Sequence, residues 1–246
     1  MSTINQTGLA QNIAAYNEMI TVCTGYGPAY KPARPAMQIP NMQNTAAQMN
    51  DIINSIRISE TAYNNAVHIR ALVFKAIKTY SAQVVAALSA SGASAGAMQQ
   101  AKGFLNKMNG KRESPRPTKA QIAAAAQPLP KTISSSQTGF TDQIEHFAGL
   151  IAVVEAEQGY APNEPELKLA ALNAKLEELK RADNAVTETS NILENYRMQR
   201  DQMLYQPETG MGAVFYDVKD YAKSVFGPAS SQYKQIRKIR FRMKKL

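Results

Sequence analysis

Apolar residues return at three- and four-residue steps along most of this chain, and the steps stop wherever Pro or Gly intervenes. Leu9, Ile13, Tyr16 and Ile20 predict a short helix over residues 6–23, halted by Gly25 and Gly27. Pro28, Pro32, Pro35 and Pro40 then predict an extended loop, because Pro lacks an N–H and biases its predecessor away from helix. Thr45 with Gln48 reads as a capping box opening a long helix. From Met49 through Ile56, Tyr63, Val67, Phe74, Ile77 and Val84 to Leu88 one face stays apolar. Unbroken over residues 45–88, that helix would be about 65 Å long, more than a compact globule needs. Ser91, Gly92, Ala93 and Ser94 end it, and Ser94 is placed to cap a further short helix through Met108.

Residues 111–131 hold KRESPRPTK, an Ala run and PLP, a linker whose Pro content and like charges keep it from burying surface, so mobility is expected there. The periodic pattern then restarts. Phe140, Ile144, Phe147, Ile151 and Val154 predict a second short helix, ended by Gly159. Asn163 with Glu166 resembles a capping box, with Pro165 in the first turn. Leu169, Leu172, Leu176, Leu179, Ala182, Val186 and Leu193 form a heptad-like seam. Pro207, Gly210 and Gly212 interrupt it, and residues 214–226 read as a last amphipathic helix.

The two stretches align with each other. Gln6-Thr7-Gly8 matches Gln137-Thr138-Gly139, and Y-x-P-x-x-P occurs at Tyr30, Pro32 and Pro35 and again at Tyr160, Pro162 and Pro165. Met42, Met49, Ile56 and Tyr63 fall on Leu172, Leu179, Val186 and Leu193, and Arg70 falls on Arg200. Pro spacing and the QTG triplets are not helical periodicity, so they argue for a tandem duplication. The expected fold is all-α: an elongated helical bundle of two tandem copies of a short helix–Pro loop–long helix unit with pseudo-twofold symmetry. The expected boundaries are 1–110 for the first repeat, 111–133 for the linker, 134–227 for the second repeat and 228–246 for a basic tail. The copies should differ in one respect. Pro40 should delay the first long helix, and the break at residues 207–212 should split the second while the first runs on.

CTGYG near the N-terminus, QIEHFAGLI after the linker and KDYAKSVFGPASSQYKQI near the C-terminus resemble uncharacterised proteins of Bacteroidota. The resemblance covers nearly the whole chain and implies no activity and no site.

Composition adds a constraint and a clue. Hydrophobic residues make up 44%, much of it Ala and with no Trp, which suits narrow helix–helix contacts. No apolar run approaches 18 residues, so no transmembrane segment is expected, and the N-terminus lacks a basic n-region and an apolar h-region, so no secretory signal is expected; a mature protein whose leader has been removed is the alternative to a cytoplasmic one. A single cysteine, Cys23, fits a reducing, cytoplasmic setting. The net charge is +9 and unevenly spread: residues 102–131 carry +6 and residues 228–246 carry +7. Concentrated basic ends attract anionic partners.

Catalytic and metal chemistry have little to build on. His68 and His146 are far apart and lack a ligand motif, Cys23 sits at a helix C-terminus that disfavours a thiolate, and no phosphate-binding Gly-rich loop follows a strand. No catalytic residue, metal site, cofactor or small-molecule substrate is expected. The tail stands out. Lys234, Arg237, Lys238, Arg240, Arg242, Lys244 and Lys245 interleave with Tyr233, Ile236, Ile239, Phe241 and Met243. Cations neutralise phosphates and aromatic rings stack on bases. Three alternatives stay open for the tail: a polyanion-binding segment, an edge strand or arm docked on protein, and a solubilising end. Lys107, Lys111, Arg112 and Arg116 are candidates for the same surface. The sequence therefore points to a non-enzymatic scaffold or binding protein whose basic ends contact nucleic acid or another polyanion. The alternative is a self-assembling structural protein that uses its long seams and C-terminal arm.

Overall fold

The computed structural model describes residues 6–111 and 138–243. Helix accounts for 81% of them, and no strand occurs among the described residues, so the fold is all-α. In chain order the helices are α1 (Gln6–Gly25), α2 (Ile39–Lys75), α3 (Ile77–Ala90), α4 (Ala95–Met108), α5 (Phe140–Ala156), α6 (Leu169–Tyr205), α7 (Met211–Phe226) and α8 (Ser231–Lys238). Short 3-10 turns at Gly27–Ala29, Pro35–Met37 and Pro165–Leu167 carry the Pro loops. The linker expected at 111–133 falls almost wholly outside the described residues.

The chain divides into two compact units that do not follow sequence order. Unit 1 joins Met1–Ala62 to Ser190–Leu246, and unit 2 is Tyr63–Thr189. The long helices α2 and α6 each contribute to both.

Unit 1 packs α1, the start of α2, the end of α6, α7 and α8 around one core. Tyr16, Met19, Met42, Met49, Phe215 and Val218 are buried there. The Pro loop is fixed by side chains. The Tyr30 hydroxyl donates to the carbonyl of Met37 at 2.7 Å, and Arg34 reaches both the Asp217 carboxylate and the Glu208 carbonyl. An ion pair from Arg197 to Glu60 at 3.0 Å joins α6 to α2.

Unit 2 packs the end of α2 with α3, α4, α5 and the start of α6. Its core is Ile77, Val84, Leu88, Phe147, Leu150, Leu172 and Leu179. Gly149 lets α4 and α5 approach closely: a Cβ there would meet the Phe104 ring at 2.5 Å. The Tyr160 hydroxyl donates to the Leu167 carbonyl at 2.7 Å, and Arg70 pairs with Asp183 at 2.8 Å while lying 4.1 Å from the centre of the Phe140 ring.

Four expectations need correction. The first long helix starts at Ile39, not Thr45, because Pro40 occupies the first turn, where its missing N–H costs nothing. Thr45 is inside that helix and donates to the Asn41 carbonyl at 2.9 Å, so it caps nothing. The helix does not run on to Leu88. It breaks at Ala76, whose φ of −97° and ψ of −4° leave the helical ladder, and Phe74 and Ile77 on either side both reach the unit 2 core. Pro165 opens a 3-10 turn and not the long helix itself, with no side-chain cap at Glu164; α6 begins at Leu169. The expected difference in continuity therefore disappears, since α2 and α6 are each 37 residues long.

By length and composition, the stretch Ile39–Ala90 would pass for a membrane span, which the sequence reading did not anticipate. It is interrupted at Ala76, and Phe74, Ile77, Val84, Val85 and Leu88 within it are core residues of unit 2, so it gives little ground for one.

A basic arm strapped to unit 1

The C-terminal segment is built by local rules up to residue 238 and by tertiary contact after it. The Ser230 hydroxyl accepts from the Tyr233 N–H at 3.1 Å and so caps α8, while Ile236 is turned into the core. The helix ends in extended backbone at Ile239, and residues 239–243 continue as a strap.

Alternation then decides which side each residue takes. Ile239 and Phe241 are buried, with the Phe241 ring 5.3 Å from that of Phe215. Asn12 on α1, itself buried, holds Arg242 by the backbone. Its Nδ2 donates to the Arg242 carbonyl at 2.9 Å, and its Oδ1 accepts from the Arg242 N–H at 2.8 Å. The Tyr216 hydroxyl donates to the Phe241 carbonyl at 2.9 Å. Met243 lies over Gly212, where a Cβ would meet its sulfur at 2.3 Å. Any side chain at 212 therefore has to displace the Met243 side chain.

Lys219 on α7 completes the anchor. Its ammonium donates to the Ile239 carbonyl and lies 4.6 Å from the centre of the Phe215 ring. A cation there meets the negative end of α8. Burial, with Arg240 nearby, lowers its pKa from the usual lysine value. Sequence reasoning missed both Asn12 and Lys219 as anchors. Nothing local in the sequence marks either residue.

With the apolar side committed to the core, Lys234, Arg237, Lys238, Arg240 and Arg242 all face solvent. Among the described residues none of the five forms an ion pair. Lys234, Arg237 and Lys238 share one side of α8 by their three- and four-residue spacing, and Arg240 and Arg242 continue outward along the strap. Phe241 is buried in the unit 1 core, which removes it as a stacking platform, and Tyr233 packs against that core while keeping part of its surface exposed.

Lys107 and Lys111 belong to unit 2, where both are exposed at the end of α4. Arg112, Arg116, Lys244 and Lys245 lie outside the described residues. The structure thus gathers five of the eleven candidate cations on one segment.

Cys23 is buried, and burial pushes its thiol up to about 12 despite a hydrogen bond with Tyr30. His68 is exposed and His146 is buried on α5, its Nε2 without a partner. Among the described residues no group of three or more His, Cys, Asp or Glu could hold a metal ion. No protein family, curated protein or solved structure matches this chain.

Proposed function

We propose that this chain is a non-enzymatic helical binding protein whose C-terminal arm presents a row of cations to a polyanion, nucleic acid in the first place. One observation carries the reading. Five exposed cations, none in an ion pair among the described residues, are held outward on a segment whose other side is locked to the core by Ile239, Phe241 and the Asn12 amide. A merely solubilising end has no need of such anchoring, because ordering a chain segment costs entropy. Fixed charges lose little freedom on binding, so their attraction is available to the partner.

The test is a salt titration of binding to heparin and to DNA. Five phosphate contacts predict a log–log slope of about −3.5 for a single strand and about −4.5 for duplex. Replacing Lys234, Arg237, Lys238, Arg240 and Arg242 by Gln should remove most of the salt dependence while leaving the helical fold. No retention on heparin or DNA at low salt would sink the proposal.

The reading extends to how the arm arose. We infer a tandem duplication in which α1–α4 and α5–α8 are copies of one unit. Support comes from the equal lengths of α2 and α6, and from the same tyrosine-to-carbonyl bond in Tyr30–Met37 and Tyr160–Leu167. It also comes from serine caps at Ser94 and Ser230 that each accept from an N–H three residues on. Each compact unit then combines the early elements of one copy with the late elements of the other.

Self-association is a second reading with one observation behind it. Ile69 and Leu72, three residues apart on α2, are more than half exposed. Light scattering across a wide concentration range distinguishes the two, since only the second requires more than a monomer.

A further inference from the structure

A surface groove of about 560 Å³ opens in unit 1 between the end of α1 and the outer side of α8. That size is within the usual range for small-ligand sites, about 300–1,000 Å³. None of its nine lining residues is charged, and six of them are aromatic or polar. Tyr26 and Phe226 supply aromatic surface, their ring centres 4.9 Å apart, and the Tyr26 hydroxyl fixes its ring by donating to the Gln232 carbonyl at 2.8 Å. Thr21, Ser231, Gln232 and Gln235 supply hydroxyl and amide groups. The Gln232 Oε1 accepts from the Ser231 hydroxyl at 3.1 Å, and the Gln235 side chain is exposed.

The groove shares α8 with the basic row. Ser231, Gln235 and Lys238 follow at steps of four and three residues, and Lys234 stands beside Gln235, so groove lining and cations run along one face of the helix. Lys234 and Lys238 are separated by about 6 Å along the axis. The arrangement puts an uncharged pocket with ring surface and amides next to paired cations. That is the chemistry of an unstacked nucleotide: a base takes aromatic contact on its face and amide hydrogen bonds on its edge, while its phosphates take the lysines. A duplex presents no free base face.

Resting on the polyanion reading above, we propose that this groove is a base pocket and that the arm's partner is single-stranded nucleic acid. The Tyr26 and Phe226 surface accepts the base, the Gln232 and Gln235 amides meet its edge, and Lys234 and Lys238 hold the flanking phosphates. The stacking function expected of the tail's own aromatics passes to this pair.

The test uses the full chain and three probes at one salt concentration: a single-stranded DNA 12-mer carrying one 2-aminopurine, the same sequence as a duplex, and heparin. The single strand should bind about tenfold more tightly than the duplex, with a change in 2-aminopurine emission on binding. Gln235→Ala, an exposed change, and Gly25→Leu, which places a side chain where nothing lies within 4 Å, should each weaken single-strand binding about tenfold and leave heparin binding as it was. An unchanged helical circular-dichroism melt shows that each variant keeps its fold. Equal single-strand and duplex affinity, or single-strand binding indifferent to both variants, overturns the pocket while leaving the arm intact. Failure of the unmodified chain to bind any of the three overturns the arm reading and the pocket with it.

Discussion

Each unit buries one side-chain amide, Asn12 on α1 in unit 1 and Gln143 on α5 in unit 2, and the two are satisfied in different ways. In unit 2, Gln143 donates to the Thr138 carbonyl five residues away. In unit 1, Asn12 spends both ends of its amide on Arg242, 230 residues away. The helices that complete the units differ to match. In unit 2, α4 keeps to helix for 14 residues, whereas α8 stops after 8 and the chain goes on extended. A helix spreads its outward residues over three- and four-residue steps, while an extended strap turns every second residue outward. Unit 1 therefore gains a cation at Arg240 and again at Arg242 without giving up the burial of Ile239 and Phe241. Closing a unit with a strap is what creates its charged edge.

The comparison breaks most sharply at Phe241. Phe241→Ala should cost about 3 kcal/mol, the lower end for emptying a buried aromatic site. Amide hydrogen exchange should show protection falling in α1 and α7, with α4 and α5 of unit 2 unchanged. A loss below about 1 kcal/mol would mean that the strap does not complete the unit 1 core. The exposed Arg240→Gln, by contrast, should stay within about 0.5 kcal/mol.

The two amides give the next test. Asn12→Leu strands both the N–H and the carbonyl of Arg242 and should cost about 2 kcal/mol by urea denaturation. Gln143→Leu loses one bond, to a carbonyl nearby in sequence, and should cost about 1 kcal/mol. Equal costs would show that the long-range anchor has no special weight. A smaller effect follows at the ion pair of unit 2. Asp183→Asn leaves the Arg70 guanidinium on Phe140 without its counter-charge, at side chains about one-fifth exposed. A loss of about 1 kcal/mol is expected, between the values for exposed and fully buried pairs, and it should shrink in high salt.

How much of this was written in the sequence depends on range. The helices were legible because their apolar spacing is local and Pro and Gly mark the ends; Ser94 was recognised as a cap on those grounds, and its hydroxyl does accept from the Ala97 N–H at 3.2 Å. Pro40 misled because a Pro that ends one helix and a Pro that opens another look alike without the neighbouring backbone. The break at Ala76 left no mark, since Ala is the best helix former and the core that Phe74 and Ile77 join on either side of it is formed only by tertiary packing. The alternation in the tail was visible, but not the surface it meets. Asn12, Gly212 and Phe215 come from α1 and α7, and only folding brings them under residues 239–243. The groove was invisible for the same reason, because Tyr26 and Gln232 are 206 residues apart.

The smallest effect sharpens the comparison by pH, because both histidines belong to unit 2 and unit 1 has none. His146 is buried beside the Phe104 ring, and its Nε2 has no hydrogen-bond partner. Burial first, then the positive charge of Lys107, lower its pKa from the ordinary value of 6.5, against a weaker opposite pull from Asp142 and Glu145. The folded chain thus holds this imidazole neutral over a pH range in which the unfolded chain protonates it. Above about 6.5 both states leave it neutral and the native contacts stand at full strength. As pH falls below 6.5 the unfolded state takes up the proton first, so stability declines until the folded-state pKa is passed and then levels. Unfolding of α5 followed by hydrogen exchange should ease between pH 7 and pH 5, while α1 and α7 change less over the same span. His146→Gln should flatten the unit 2 profile without touching that of unit 1. An unaltered pH profile in the variant would assign the acid sensitivity to carboxylates and remove the histidine from the account.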